Sequence, residues 1–128
     1  MARYTHADLF LDTLPFNGGT TVSDAVSMGV PVLTCAGDSF AGRMAGSVLT
    51  ALGVPELITA SLADYEALAL DLATHPERVH ALRETLRNQR TQHSFFETDR
   101  YRRSLESAYE RMWERHAAGL PPAAFHVA

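Results

Sequence analysis

The chain has 128 residues, 46% of them hydrophobic and 20% charged, which suits one domain with a real core and excludes a disordered chain. Eleven Lys+Arg against fifteen Asp+Glu give a net charge of -4, so the basic surface that nucleic-acid binding requires is missing. All eleven basic residues are Arg, which excludes a P-loop lysine, a Schiff-base lysine and a Ser-Lys dyad together.

The first element in chain order is Leu9-Phe10-Leu11, set between Asp8 and Asp12 and closed by Pro15. It is too short for a buried helix and predicts a parallel strand buried on both faces. Asn17-Gly18-Gly19-Thr20-Thr21 predicts a tight turn and a helix N-cap, with a helix from about Thr21 to Met28. Gly29 is a good residue to end it, and Pro31 lies just beyond. Val30 to Cys35 predicts the second strand, and Ala36-Gly37-Asp38-Ser39 a second turn. A helix from about Phe40 to Leu52 follows, with Phe40, Met44, Val48 and Leu52 on one apolar face and Gly53 at its end. Pro55 to Ile58 predicts a short third strand. Strand, turn and helix repeated at such short spacing read as parallel βαβ units.

Three helices complete the chain. Ser61-x-x-Asp64 predicts a capped start for residues 62–73. Thr74 and Pro76 open the next, with Val79, Leu82 and Leu86 as its stripe. Thr98 and Asp99 open the last, where Tyr101, Leu105, Tyr109, Met112 and His116 align. The expected class is α/β: one domain over 1–128, with a βαβ portion over 1–60, a helical portion over 61–119 and a tail over 120–128. A parallel sheet this narrow leaves its first strand with an unpaired edge, which predicts further strands upstream and self-association through that edge.

The stretch from Asp12 to Asp24 carries the most chemistry. A Gly-rich turn running into a helix start aims backbone N–H groups and the positive end of the helix dipole at one spot. Gly18 and Gly19 form that turn, Thr20 and Thr21 add hydroxyl donors, and the Asp24 carboxylate can accept hydrogen bonds from two ribose hydroxyls. The plainer alternative is that Thr21-x-x-Asp24 caps the helix and the glycines only turn the chain. The acid pairs Asp64-Tyr65-Glu66 and Glu97-Thr98-Asp99 could hold a divalent ion, but both fall at helix starts, where acids complement the dipole. The six histidines lack metal-ligand spacing, so no metal is expected. No residue here is assigned as catalytic. Arg100, Arg102 and Arg103 read as a solvated face. Cys35 reads as core, and a single cysteine fits a reducing, cytoplasmic setting. No apolar run reaches about 18 residues and the N-terminus lacks a signal-peptide core, so no membrane is expected.

Residues 7–34 (ADLFLDTLPFNGGTTVSDAVSMGVPVLT) resemble the C-terminal catalytic lobe of the O-linked N-acetylglucosamine transferase family, including its bacterial and SPINDLY-like members. The resemblance continues through Phe40-Ala41-Gly42-Arg43, Leu49 to Leu57, and Tyr109 to Glu114. It implies a Rossmann-like half-lobe of a GT-B glycosyltransferase, metal-independent and inverting, with UDP or UDP-GlcNAc as donor and no cofactor. It also implies an upstream catalytic lobe, tetratricopeptide repeats and a protein acceptor as partners. By this resemblance Thr20 and Thr21 hold the diphosphate, Asp24 the ribose, and Arg3 corresponds to an arginine near the uracil. Two departures stand out. Gly19 replaces the histidine the family usually carries before Thr-Thr, and the family's phosphate-binding lysine and uridine-stacking histidine have no counterpart here. The isolated chain is therefore expected to be inactive. The rival readings are a UDP-sugar epimerase fragment on the same scaffold and a non-catalytic remnant that binds a protein partner.

Overall fold

The computed structural model describes residues 2–92 and 94–127, and the chain falls into two compact units, residues 1–93 and 94–128. In the first unit a 3-10 turn (Ala2–His6) precedes β1 (Phe10–Leu11), α1 (Thr20–Ser27) and β2 (Val32–Cys35). A 3-10 turn (Ala41–Arg43) leads into α2 (Met44–Ala51), and another (Pro55–Leu57) into β3 (Ile58–Thr59). Two helices complete this unit, α3 (Leu62–Thr74) and α4 (Pro76–Gln92).

The sheet is parallel, in the order β1-β2-β3, with Phe10 paired to Val32 and Thr34 to Ile58. All four residues of β2 are buried, as a central strand lined by helices requires. β1 departs from the expectation of burial on both faces. It pairs only with β2 among the described residues, and Leu11 is 53% exposed. The core forms where α1 (Val22, Val26), β2 (Leu33), α2 (Leu49), α3 (Leu72) and α4 (Leu86) meet, each of these side chains being fully buried. Each such leucine contributes about 1.5–3 kcal/mol by leaving water.

Local chemistry explains the element ends. Gly29 has φ +74°, a left-handed conformation that costs an L side chain energy but not glycine. Its N–H donates to the Val26 carbonyl, which ends α1 as the sequence predicts. The Ser61 hydroxyl accepts from the Asp64 N–H (3.1 Å) and donates to the Asp64 carboxylate (2.6 Å), starting α3. α4 is tied to the segment before β1 by Arg83, which donates to Asp8 at 2.9 Å. Asp8 is well solvated, so that pair adds at most about 1 kcal/mol.

The second unit holds a 3-10 turn (Ser94–Phe96) and α5 (Thr98–Ala117). Arg102 bridges Asp99 and Glu106 along the exposed face, and Arg103 also pairs with Asp99. These are the solvated arginines the sequence predicts. The Tyr101–Met112 stripe lies on α5, yet no residue of this helix is buried. The tail returns along the helix end, with Arg115 donating to the Pro121 carbonyl (2.7 Å) and Arg111 to that of His126 (3.1 Å). Among the described residues no helix is long and apolar enough to cross a membrane.

Candidate functional site

In open parallel sheets, ligands settle beyond the carboxyl ends of the strands, and the loops after β1 and β2 meet there. The first loop is organised by Asp12, which is 5% exposed. Its Oδ1 accepts from the N–H groups of Thr13 (2.9 Å) and Gly18 (2.7 Å), and its Oδ2 accepts from the Thr34 hydroxyl of β2 (2.7 Å). The Tyr65 hydroxyl, from α3, donates to the Asp12 carbonyl at 2.9 Å. Burial first, then the charges of Asp12 and Cys35, push the Tyr65 hydroxyl above its ordinary 10.0, so it stays protonated as a donor. Asn17, wholly buried, donates from its side chain to the Thr13 carbonyl and from its backbone to that of Ala41. That second bond joins the loop after β1 to the loop after β2.

This loop delivers the start of α1. Its N-cap is Gly19, not a threonine, and no side chain caps the helix. Thr20 and Thr21 are the first helical residues, both exposed, so their hydroxyls are not spent on capping. The plainer reading of Thr21-x-x-Asp24 as a helix cap therefore fails. Asp24 is half-buried, with no side-chain hydrogen bond or ion pair among the described residues.

The candidate residues share the first turns of α1, with Asp24 four residues after Thr20 on the same helix face. Gly19, Thr20 and Ser23 line a groove of about 540 Å³ whose other wall is Phe40, Arg43 and Met44. Thr21 and Asp24 lie outside that groove. The Tyr4 hydroxyl donates to the Thr21 carbonyl of α1 at 3.3 Å. The Arg3 guanidinium lies 5.7 Å from the centre of the Tyr4 ring, beside that contact. The acid pairs have other work: Asp64 is in the α3 cap and Asp99 in ion pairs on α5. Among the described residues no three His, Cys, Asp or Glu side chains form a ligand cluster. Cys35 is a buried free thiol in β2, as its apolar surroundings predict.

Sequence reasoning missed Asp12, Thr34, Tyr65 and Arg43. An acid directly after a strand and six residues before a glycine was a usable signal for Asp12. Nothing local marked its partners, which lie 22 and 53 residues away.

A family model described as Glycosyl transferase family 41 matches residues 1–105. The Oryza sativa subsp. japonica protein named Probable UDP-N-acetylglucosamine-peptide N-acetylglucosaminyltransferase SPINDLY is 38% identical over 123 residues, covering 96% of this chain and 13% of that protein. The Caenorhabditis elegans UDP-N-acetylglucosamine-peptide N-acetylglucosaminyltransferase is 36% identical over 115 residues, 90% of this chain and 10% of that protein. A solved structure of a mutant Thermobaculum terrenum O-GlcNAc transferase superposes with a TM-score of 0.81 at 39% identity, covering 88% of this chain and 22% of that one. The chain thus spans between a tenth and an eighth of the length of these two curated relatives.

Proposed function

Because the chain belongs to glycosyl transferase family 41, we propose that it carries the diphosphate- and ribose-binding part of a UDP-sugar donor site. The parent activity would be transfer of N-acetylglucosamine from UDP to a Ser or Thr hydroxyl of a protein, in a reducing cytoplasmic setting. The observation that carries this reading is the uncapped start of α1, where Thr20 and Thr21 enter the helix behind a glycine N-cap with exposed hydroxyls that have no hydrogen-bond partner among the described residues.

Such a site has to neutralise the charge that develops on the departing diphosphate. The dipole and N–H groups at the start of α1, with the two threonine hydroxyls, supply fixed donors for that charge without a metal. The Asp24 carboxylate, which has no protein partner among the described residues, is available to the ribose hydroxyls. Arg3 lies against the ring of Tyr4, whose hydroxyl bonds the Thr21 carbonyl of α1. The names of the relatives favour a transferase over an epimerase.

Titration of the isotopically labelled chain with UDP tests the reading. The amides of residues 18–24 should shift first, with a dissociation constant on the order of millimolar, equivalent to about 4 kcal/mol. Shifts confined to α5, or none at several millimolar UDP, would favour the protein-binding remnant instead.

A further inference from the structure

We infer that Asp12 is the positioning residue of this donor site, acting through Gly18, and that Thr34 and Tyr65 hold Asp12 in place. The inference rests on the donor-site reading but concerns residues that touch no ligand in it. Asp12 is nearly inaccessible, yet its carboxylate receives three hydrogen bonds and its own carbonyl a fourth. Two of the three side-chain bonds come from backbone N–H groups at the two ends of one loop, Thr13 and Gly18. The third comes from the central strand. The carboxylate therefore clamps the loop shut and fastens the closed loop to the most buried strand of the sheet.

The clamp sets where α1 begins. Gly18 directly precedes the N-cap, so fixing its N–H fixes the direction from which Gly19, Thr20 and Thr21 arrive. The close approach also dictates the residue type at 18. A Cβ there would collide with Thr21 Oγ1 and come within 3.2 Å of Asp12 Oδ1. An anionic side chain beneath an anion site opposes the ligand electrostatically. Its presence is accounted for by geometry. Hydrogen bonds to a charged acceptor are about twice as strong as neutral ones, so a carboxylate holds two amides and a hydroxyl in one arrangement better than an amide side chain would. A site held in its productive geometry before the ligand arrives avoids spending binding energy on ordering the loop.

The test compares the wild-type chain with Asp12→Asn, Thr34→Val and Thr34→Ser. Two measurements are made on each: hydrogen exchange of the Gly18 amide without nucleotide, and UDP affinity of the folded chain well below its melting temperature. Asp12→Asn and Thr34→Val should speed Gly18 exchange relative to the Leu33 amide of β2 and weaken UDP binding about fivefold or more. Thr34→Ser, which keeps the donor, should restore both to wild-type values. A purely structural role would lower the melting temperature of the two damaging variants and leave the affinity of the folded molecules unchanged, and that result overturns the inference. So does Gly18 exchange in Asp12→Asn that matches wild type. If the wild type binds UDP and the variants bind it equally, the positioning role alone falls. If the wild type binds none while its Gly18 amide is protected, the donor-site reading falls and takes the positioning role with it.

Discussion

By the family resemblance Gly19 stands where a histidine is expected, and its surroundings bear on what a side chain would do there. Its φ of -96° is negative, so no left-handed backbone demands glycine there. A Cβ at this position would meet the methyl end of Met44 at 2.7 Å. That methyl is the far end of a flexible side chain and can swing aside into the neighbouring groove. Gly19→His should therefore fold with an unchanged melting temperature. If the added imidazole reaches the diphosphate, UDP should bind about 1 kcal/mol more tightly. Calorimetric titration with UDP beside a thermal melt decides the matter. Unchanged affinity with an unchanged melt would place residue 19 away from the ligand.

Among the elements, α2 carries a pattern that misleads. Phe40, Met44, Val48 and Leu52 recur every four residues and read as a core stripe, yet only Leu52 is fully buried and Phe40 is 79% exposed. The helix starts at Met44 after a 3-10 turn, which rotates Phe40 off the stripe, and its buried residues are Ala45 and Leu49. The apolar residues left over form the wall of the groove beside Thr20. α3 shows the opposite case, because its cap was legible and is present. Ser61→Ala should cost about 1 kcal/mol in denaturant unfolding. It should leave UDP affinity unaltered, since the cap lies at another strand end. A loss of UDP binding in Ser61→Ala would mean that α3, which also carries Tyr65, couples to the site more strongly than one hydrogen bond explains.

For the whole molecule, two outcomes are expected. The chain alone should not catalyse transfer. An inverting step needs an acceptor hydroxyl, a group to take its proton and the anomeric carbon held within reach. This chain matches only 22% of the solved transferase it resembles, and His6, the histidine nearest β1, precedes that strand rather than following it. UDP release from UDP-N-acetylglucosamine with a peptide acceptor should stay at background. Turnover that disappears in Asp24→Ala would refute this. The second outcome is association. Leu11, Leu14 and Phe16 are 53%, 37% and 68% exposed beside the two-residue edge strand β1, an arrangement that favours edge-to-edge contact. Sedimentation should show mass rising with concentration, and Leu11→Lys should reverse it. A strictly monomeric wild type at high concentration would remove the edge argument.

The local features came from the sequence alone because each depends on residues close together in the chain. The glycine at the end of α1, the Ser61 cap, the buried β2 run and the Gly-Gly-Thr-Thr turn are all decided within a few residues, by allowed backbone angles, short hydrogen bonds and continuous apolarity. So was the family, since residues 7–34 carry most of its pattern in one stretch. Tertiary structure decided everything that depends on distant partners. β1 is exposed because a strand's burial is set by its neighbours and not by its own Leu-Phe-Leu. Phe40 lines a groove because one 3-10 turn changes the phase of a four-residue repeat. The groove that Thr20 lines needed the packing of α2, whose Met44 and Val48 border it. The Asp12 clamp needed β2 and α3 brought to the same carboxyl end of the sheet. A hydrogen bond between residues 22 or 53 positions apart leaves no periodic trace in the chain, because only the fold makes them neighbours.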